Sequence, residues 1–248
     1  MVRLRGNLQV LTISTPSNHF AHFSFSLPSS CTSSKSGNLI HAAEMNQKEM
    51  DRKKAFPKFP ELKTRRLVLR EIKSSEAEWY LEHFSRKEIV EGQGFPAPDG
   101  TKGAREELEQ YIVGLFRSRS GFRWGIQIKG HDDLIGSLGF YNWEKPYGHK
   151  AKMGYDLDIE YWGRGIMAEA MSKVIDFGFS KMKLTRIELT VMRSNKRSMR
   201  MAKRLGFKRE GILRQYGFNE KMEIVDEELY SMLRQEWSER GKTSTKLR

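Results

Sequence analysis

The run Tyr161-Trp162-Gly163-Arg164-Gly165-Ile166-Met167-Ala168-Glu169-Ala170 sets two glycines between an alternating, strand-like segment and an apolar helical one. Glycine lets backbone approach an anion closely. A helix start offers unpaired N–H groups at the positive end of its dipole. That architecture suits a pyrophosphate. Gly163-x-Gly165-x-x-Ala168 also satisfies the dinucleotide-binding fingerprint, with Glu188 about 20 residues further on. Three features weigh against that reading. The preceding strand alternates through Asp156, Asp158 and Glu160, whereas the first strand of a dinucleotide fold is buried on both faces. Glu188 stands near the start of its strand. The fingerprint also comes deep inside the folded region instead of at its first strand-to-helix turn. A tight turn with no ligand is the bland alternative.

A second group lies downstream. Asn195 and Ser198, three residues apart at a helix start, share one face, and Asn195 also suits the helix cap. Ten bases lie between Arg186 and Arg214 against Glu188 and Glu210, so +8 of the chain's net +13 sits in one stretch. Such a cluster suits an anion site, a nucleic-acid patch or a solvated helix face. Nucleic-acid surfaces interleave aromatics for stacking, and this stretch has only Phe207. Metal chemistry is not expected: Cys31 is the sole cysteine, and the six histidines nowhere pair at ligand spacing.

These residues need elements to hold them. Leu67–Ile72 reads as a strand and Glu76–Ser85 as a helix. Gly103–Arg119 is helical, with Leu108, Tyr111, Ile112, Leu115 and Phe116 on one face. Phe122–Lys129, Leu134–Trp143 and Lys152–Ile159 read as three strands. Ile166–Phe179 is a helix and Arg186–Met192 a strand. Asn195–Leu205 is a helix stopped by Gly206, and Ile224–Leu233 a last strand. The pattern βααβββαβαβ predicts one α/β domain with a mixed sheet over 64–240. Tyr141 and Trp143 read as core packing or as walls of an acceptor cleft.

The chain ends differ in composition. Residues 1–43 are acid-free and rich in serine. Two readings of the leader 1–44 stay open: a transit peptide, implying an organelle, or an artefact of start-site choice, with Met45 as the true start. Residues 45–63 read as a charged linker and 241–248 as a tail. No apolar run reaches the roughly 20 residues of a membrane span. The expectation is a cytoplasmic protein without a membrane or metal partner, monomeric or homodimeric.

With these residues the chain resembles the GNAT superfamily of acetyl-CoA-dependent N-acetyltransferases, closest to its ribosomal-protein N-terminal (alanine/serine) branch. The matching pieces are Thr64–Glu71, Ile135-Gly136-Ser137-Leu138-Gly139, Gly154-Tyr155, the loop itself and Asn195–Gly211. The resemblance spans about Leu62 to Trp237. It implies central strands that splay apart around a pantetheine arm. The backbone of Leu157, Asp158 and Ile159 would pair with pantetheine amides, and the Gly163–Ala168 loop would take the pyrophosphate. Asn195 and Ser198 would face the arm and thioester, and Lys203 and Arg204 the phosphates. The tyrosine that many members place four residues before the Gly-Phe pair is Ala202 here, so Ser198 is the expected proton donor to sulfur. Glu160 is the expected base. The acceptor would be a primary amine, either a protein N-terminus, with ribosome contact during capture, or a small amine such as a polyamine, amino acid or drug. A nucleic-acid- or ribosome-binding module built on 186–214 is the alternative from another class.

Overall fold

The computed structural model describes residues 54–143 and 149–245, with side chains to Glu239. The leader 1–44, the start of the linker and the end of the tail lie outside the described residues. Strands β1 (Leu62–Lys63) and β2 (Leu67–Glu71) open the domain. Helices α1 (Ala77–Phe84), α2 (Lys87–Gln93) and α3 (Gly100–Leu108) follow, the last continued by a π turn (Glu109–Val113) and α4 (Gly114–Arg117). Then come β3 (Phe122–Ile128), β4 (Leu134–Tyr141), β5 (Lys150–Leu157), α5 (Ile166–Ser180), β6 (Arg186–Met192), α6 (Lys196–Arg204), β7 (Lys208–Phe218), β8 (Ile224–Leu233) and α7 (Arg234–Thr245).

The strands form one eight-stranded mixed sheet in the order β1-β2-β3-β4-β5-β6-β8-β7. Neighbours are antiparallel except β5 and β6, which run parallel and pair only from Lys150↔Arg186 to Lys152↔Glu188. Past that point β5 keeps its ladder with β4 as far as Leu157. β6 keeps its own with β8 as far as Met192. The two central strands therefore part, and the sheet opens between them.

Alternation sorts the two faces. Phe122, Trp124 and Ile126 of β3 and Leu138 and Phe140 of β4 are buried under α5. There the Phe177 ring lies 5.7 Å from Phe122 and 5.3 Å from Trp124. The opposite face is covered at one end by α1 and α3, whose Ala77, Tyr80, Ala104 and Leu108 pack with Ile72 and Leu134. Burying such side chains contributes roughly 1.5–3 kcal/mol each.

Several expectations need correction. Residues 56–63, read as linker, belong to the domain: Phe56 is buried edge-on against Phe122 at 5.1 Å. The carbonyl of Pro60 accepts the Trp124 indole N–H at 2.6 Å. The strand expected at Lys152–Ile159 ends at Leu157, because the Asp158 N–H turns to the Ile135 carbonyl (2.9 Å) and Ile159–Tyr161 coils into a 3-10 turn. The helix expected at Gly103–Arg119 starts at Gly100 and widens midway, where the Gly114 N–H reaches back five residues to Glu109. α2, α7 and β7 were not expected. β7 is an edge strand, exposed or half-exposed throughout and crowded with charge. It bulges twice, between Arg209 and Gly211 and between Leu213 and Gly217, so the period of two never shows in its sequence.

Candidate active site

The loop between β5 and α5 lies at the opening of the sheet. Gly163 and Gly165 have φ of 75° and 73°, a region that costs a side chain about 1–2 kcal/mol. Gly165 is the residue from which α5 starts. A Cβ at Gly163 would meet nothing within 4 Å, so that glycine serves the turn and leaves the cradle uncrowded. The loop is braced from behind. Arg66 donates to the Arg164 carbonyl (3.0 Å) and to Glu169 (2.7 Å), and Glu169 also accepts from the Thr64 hydroxyl (2.6 Å). Burial pushes the Glu169 carboxyl up, but Thr64 and Arg66 outweigh it and hold it below its ordinary range. The acid in the first turn of α5 thus ties the helix to the first hairpin and stays clear of an anion in the loop.

Across the opening, α6 starts from Asn195. Its Oδ1 accepts the Ser198 N–H (3.0 Å) while its Nδ2 donates to the Gly92 carbonyl at the end of α2 (3.1 Å). Both ends of the amide are used, as cap and as clamp. Ser198 turns its hydroxyl to the Tyr155 hydroxyl of β5, 2.7 Å away. Arg197 stacks on Trp162 with its guanidinium carbon 3.4 Å from the ring centre, and Lys203 is exposed on α6. Ala202 is fully buried. The Leu157 carbonyl accepts the Trp162 indole N–H (2.7 Å) and keeps a second lone pair. The Asp158 N–H is already engaged by the Ile135 carbonyl, and the Ile159 carbonyl by the Trp162 N–H at 3.0 Å.

On the other face, His83 of α1 is buried between two carboxylates. Its Nε2 lies 2.7 Å from Asp156 and its Nδ1 2.7 Å from Asp158. Asp156 also pairs with Arg123 and accepts from the Ser137 N–H (2.8 Å) and hydroxyl (2.7 Å). Burial disfavours charge on His83, yet Asp156 and Asp158 more than offset it and raise its pKa to about 9. Burial likewise opposes the Asp156 charge, and Arg123 and His83 prevail, lowering it to about 2. Glu160 stands on the exposed 3-10 turn, 3.0 Å from Arg86, which also reaches Asp158 at 3.2 Å. Tyr141 lies across β5 beside Gly154: a Cβ there would sit 3.3 Å from the tyrosine ring. Its phenol is pushed up to about 12 by burial and then by the Glu227 carboxylate of β8. Trp143 is core. Tyr155, His83, Arg66 and Glu227 had no expected role. Tyr155 sat in a recognisable Gly-Tyr pair, but the partners of His83 lie more than seventy positions away.

An open cradle at a helix start, a parted sheet and hydroxyls inside the parting fit an acyl carrier with a phosphate end and a thioester end. Among the described residues no group of three or more His, Cys, Asp or Glu could hold a metal, and no helix is long and apolar enough to cross a membrane. Residues 66–208 match the family model described as the acetyltransferase (GNAT) domain. The uncharacterized N-acetyltransferase YoaA of Bacillus subtilis (strain 168) is 35% identical over 158 residues, 64% of this chain and 88% of its own. The ribosomal-protein-S5-alanine acetyltransferase of Vibrio fischeri superposes with a TM-score of 0.61 at 27% identity, over 72% of this chain and 98% of that one. The Microcin C7 self immunity acetyltransferase MccE, solved with acetyl-CoA and AMP, shares the fold at a TM-score of 0.60 and 22% identity, over 68% and 93%. The chain belongs to the GNAT family of acetyltransferases.

Proposed function

We propose that this N-acetyltransferase transfers the acetyl group of acetyl-CoA to a protein N-terminal α-amine, by direct attack in a ternary complex. The observation that carries the reading is the parted β5–β6 opening, with the loop cradle on one wall and Ser198 on the other. The N–H groups from Gly163 to Ala168 hold the pyrophosphate, and Leu157 and Ile159 hold the arm by backbone. Asn195 fixes the start of α6, and Lys203 meets phosphate. Acetyl-CoA supplies the activated acyl group. The protein presents a neutral amine to it and returns a proton to sulfur. Ser198 gives that proton, and Glu160 takes one from the incoming ammonium. The likeness to a ribosomal-protein-S5-alanine acetyltransferase supports a protein acceptor. A small amine is the competing acceptor.

A nucleic-acid role loses support from the pairing of the bases. Arg186 is held by Glu188 and Glu210, Lys208 by Glu236, and Arg193 and Arg209 by Glu228. The full chain should be stabilised by acetyl-CoA by about 3 kcal/mol at a hundredfold excess over Kd, and not by NADH or RNA. It should also acetylate peptides beginning with Ala or Ser faster than polyamines. Faster turnover of polyamines would reverse the acceptor assignment. A pH–rate profile unchanged in Glu160→Gln would remove that residue as base.

A further inference from the structure

The Tyr155–Ser198 hydrogen bond spans the opening, joining β5 to α6 across the space between the parted strands. Both residues are only partly buried. Each comes from a different wall, so the pair lies where the arm of the donor must pass. An aliphatic hydroxyl alone is a poor acid for a departing thiolate: a thiol has an ordinary pKa of about 8.5, and an alkoxide is far more basic. A phenol, at about 10, is much closer. Ala202 offers no phenol from α6, and Tyr155 brings one to the serine from the opposite strand. Burial raises the Tyr155 phenol, and the Ser198 contact acts against that rise.

We propose that Tyr155 is the source of the proton that Ser198 delivers to the departing sulfur, the two hydroxyls acting as a relay. This rests on the assignment of Ser198 as donor. The amine nitrogen bonds to the acetyl carbon, the carbon–sulfur bond breaks, and its electron pair goes to sulfur. The Ser198 Oγ proton moves to sulfur as the Tyr155 Oη proton moves to Ser198. The surplus proton on the amide nitrogen then returns through water to the phenolate, and the proton that Glu160 took from the ammonium leaves to solvent, so the enzyme ends as it began. Tyr155 is on this account a positioning and proton-supplying residue that acts through Ser198.

The test uses the full chain and two readouts. The first binds CoA alone and titrates its thiolate by ultraviolet absorbance. Tyr155→Phe should raise the pKa of the bound thiol by about one unit. Ser198→Ala should raise it at least as far, and the double variant no further than Ser198→Ala. The second follows turnover with acetyl-CoA and peptides beginning with Ala or Ser. There Tyr155→Phe should lower kcat at least tenfold with the Kd for acetyl-CoA within twofold, and its effect should vanish in a Ser198→Ala background. A fluorinated tyrosine at 155 keeps the shape and should move the basic limb of the kcat profile to lower pH. An unchanged bound-thiol pKa in Tyr155→Phe, or losses that multiply in the double variant, overturns the relay. Wild-type kcat in Ser198→Ala instead overturns the serine assignment beneath it, and the two failures are read from different variants.

Discussion

His83 is an imidazole with a carboxylate at each ring nitrogen, and it decides how the two chain segments around it meet. Asp156 lies near the end of β5 and Asp158 just beyond it, so their common partner fixes α1 against the strand that leads into the Gly163–Ala168 loop. Trp79 stacks on the ring at 5.1 Å and closes the site to water. A residue whose pKa is raised on folding lends stability below its unfolded value and loses it as pH climbs through its folded one. For His83 the contribution is full below about 6.5 and fades by about 9. Asp156, held at about 2 against an ordinary 3.8, works in the other direction and contributes until acid reaches its folded value. Wild-type protein should therefore lose about 3 kcal/mol, an upper figure for this group, between pH 6.5 and 9 in urea unfolding. His83→Leu should be less stable by on the order of 3 kcal/mol at the acid end and nearly flat across that window, so the gap to wild type closes as pH rises. An alkaline slope of equal size in His83→Leu would refute the assignment.

At the level of elements, the site is assembled by clamps between segments far apart in sequence. Asn195 is the clearest: it caps α6 and holds the end of α2 through Gly92. Asn195→Ala removes the cap, at about 1 kcal/mol, and frees α2 from the wall of the opening. Differential scanning calorimetry should show the lost stability, and isothermal titration should show acetyl-CoA binding weakened by about tenfold, since α6 and Ser198 shift together. Asn195→Asp, which keeps the cap oxygen but not the amide donor, should restore the melting temperature more than the affinity. Equal recovery of both would show that the Gly92 contact is idle. The contrast also explains what could be read beforehand. The cap was legible because Asn-x-x-Ser is a local pattern. The loop was legible because glycine spacing and helix start are local too, as were β6 and β8, whose bounds match residue for residue. The contact with Gly92, the brace of Arg66 on Glu169 and the cage around His83 join distant residues and leave no periodicity. β7 was hidden for another reason: an exposed, bulged edge strand lacks the alternation that a half-buried strand imprints on its sequence.

Over the whole molecule, the net +13 is distributed by pairing more than by count. Within the dense basic stretch, β8 and α7 carry Glu228 and Glu236 to Arg193, Arg209 and Lys208, bases that look unmatched in sequence. α6 itself brings Lys196, Arg197, Arg200 and Lys203 with no acid in its own sequence. On the proposed function this helix charge would attract a multiply anionic donor. Reversing Arg200 and Lys203 together, Arg200→Glu with Lys203→Glu, should weaken acetyl-CoA binding by about tenfold or more, one charge-assisted contact or better. It should also flatten the dependence of affinity on salt, since screened attraction is the part removed. Lys208→Gln with Arg209→Gln removes as many bases from the paired set and should leave affinity within twofold at every salt concentration. If both pairs of substitutions weakened binding equally, the field would be a property of net charge alone, and α6 would lose its special place.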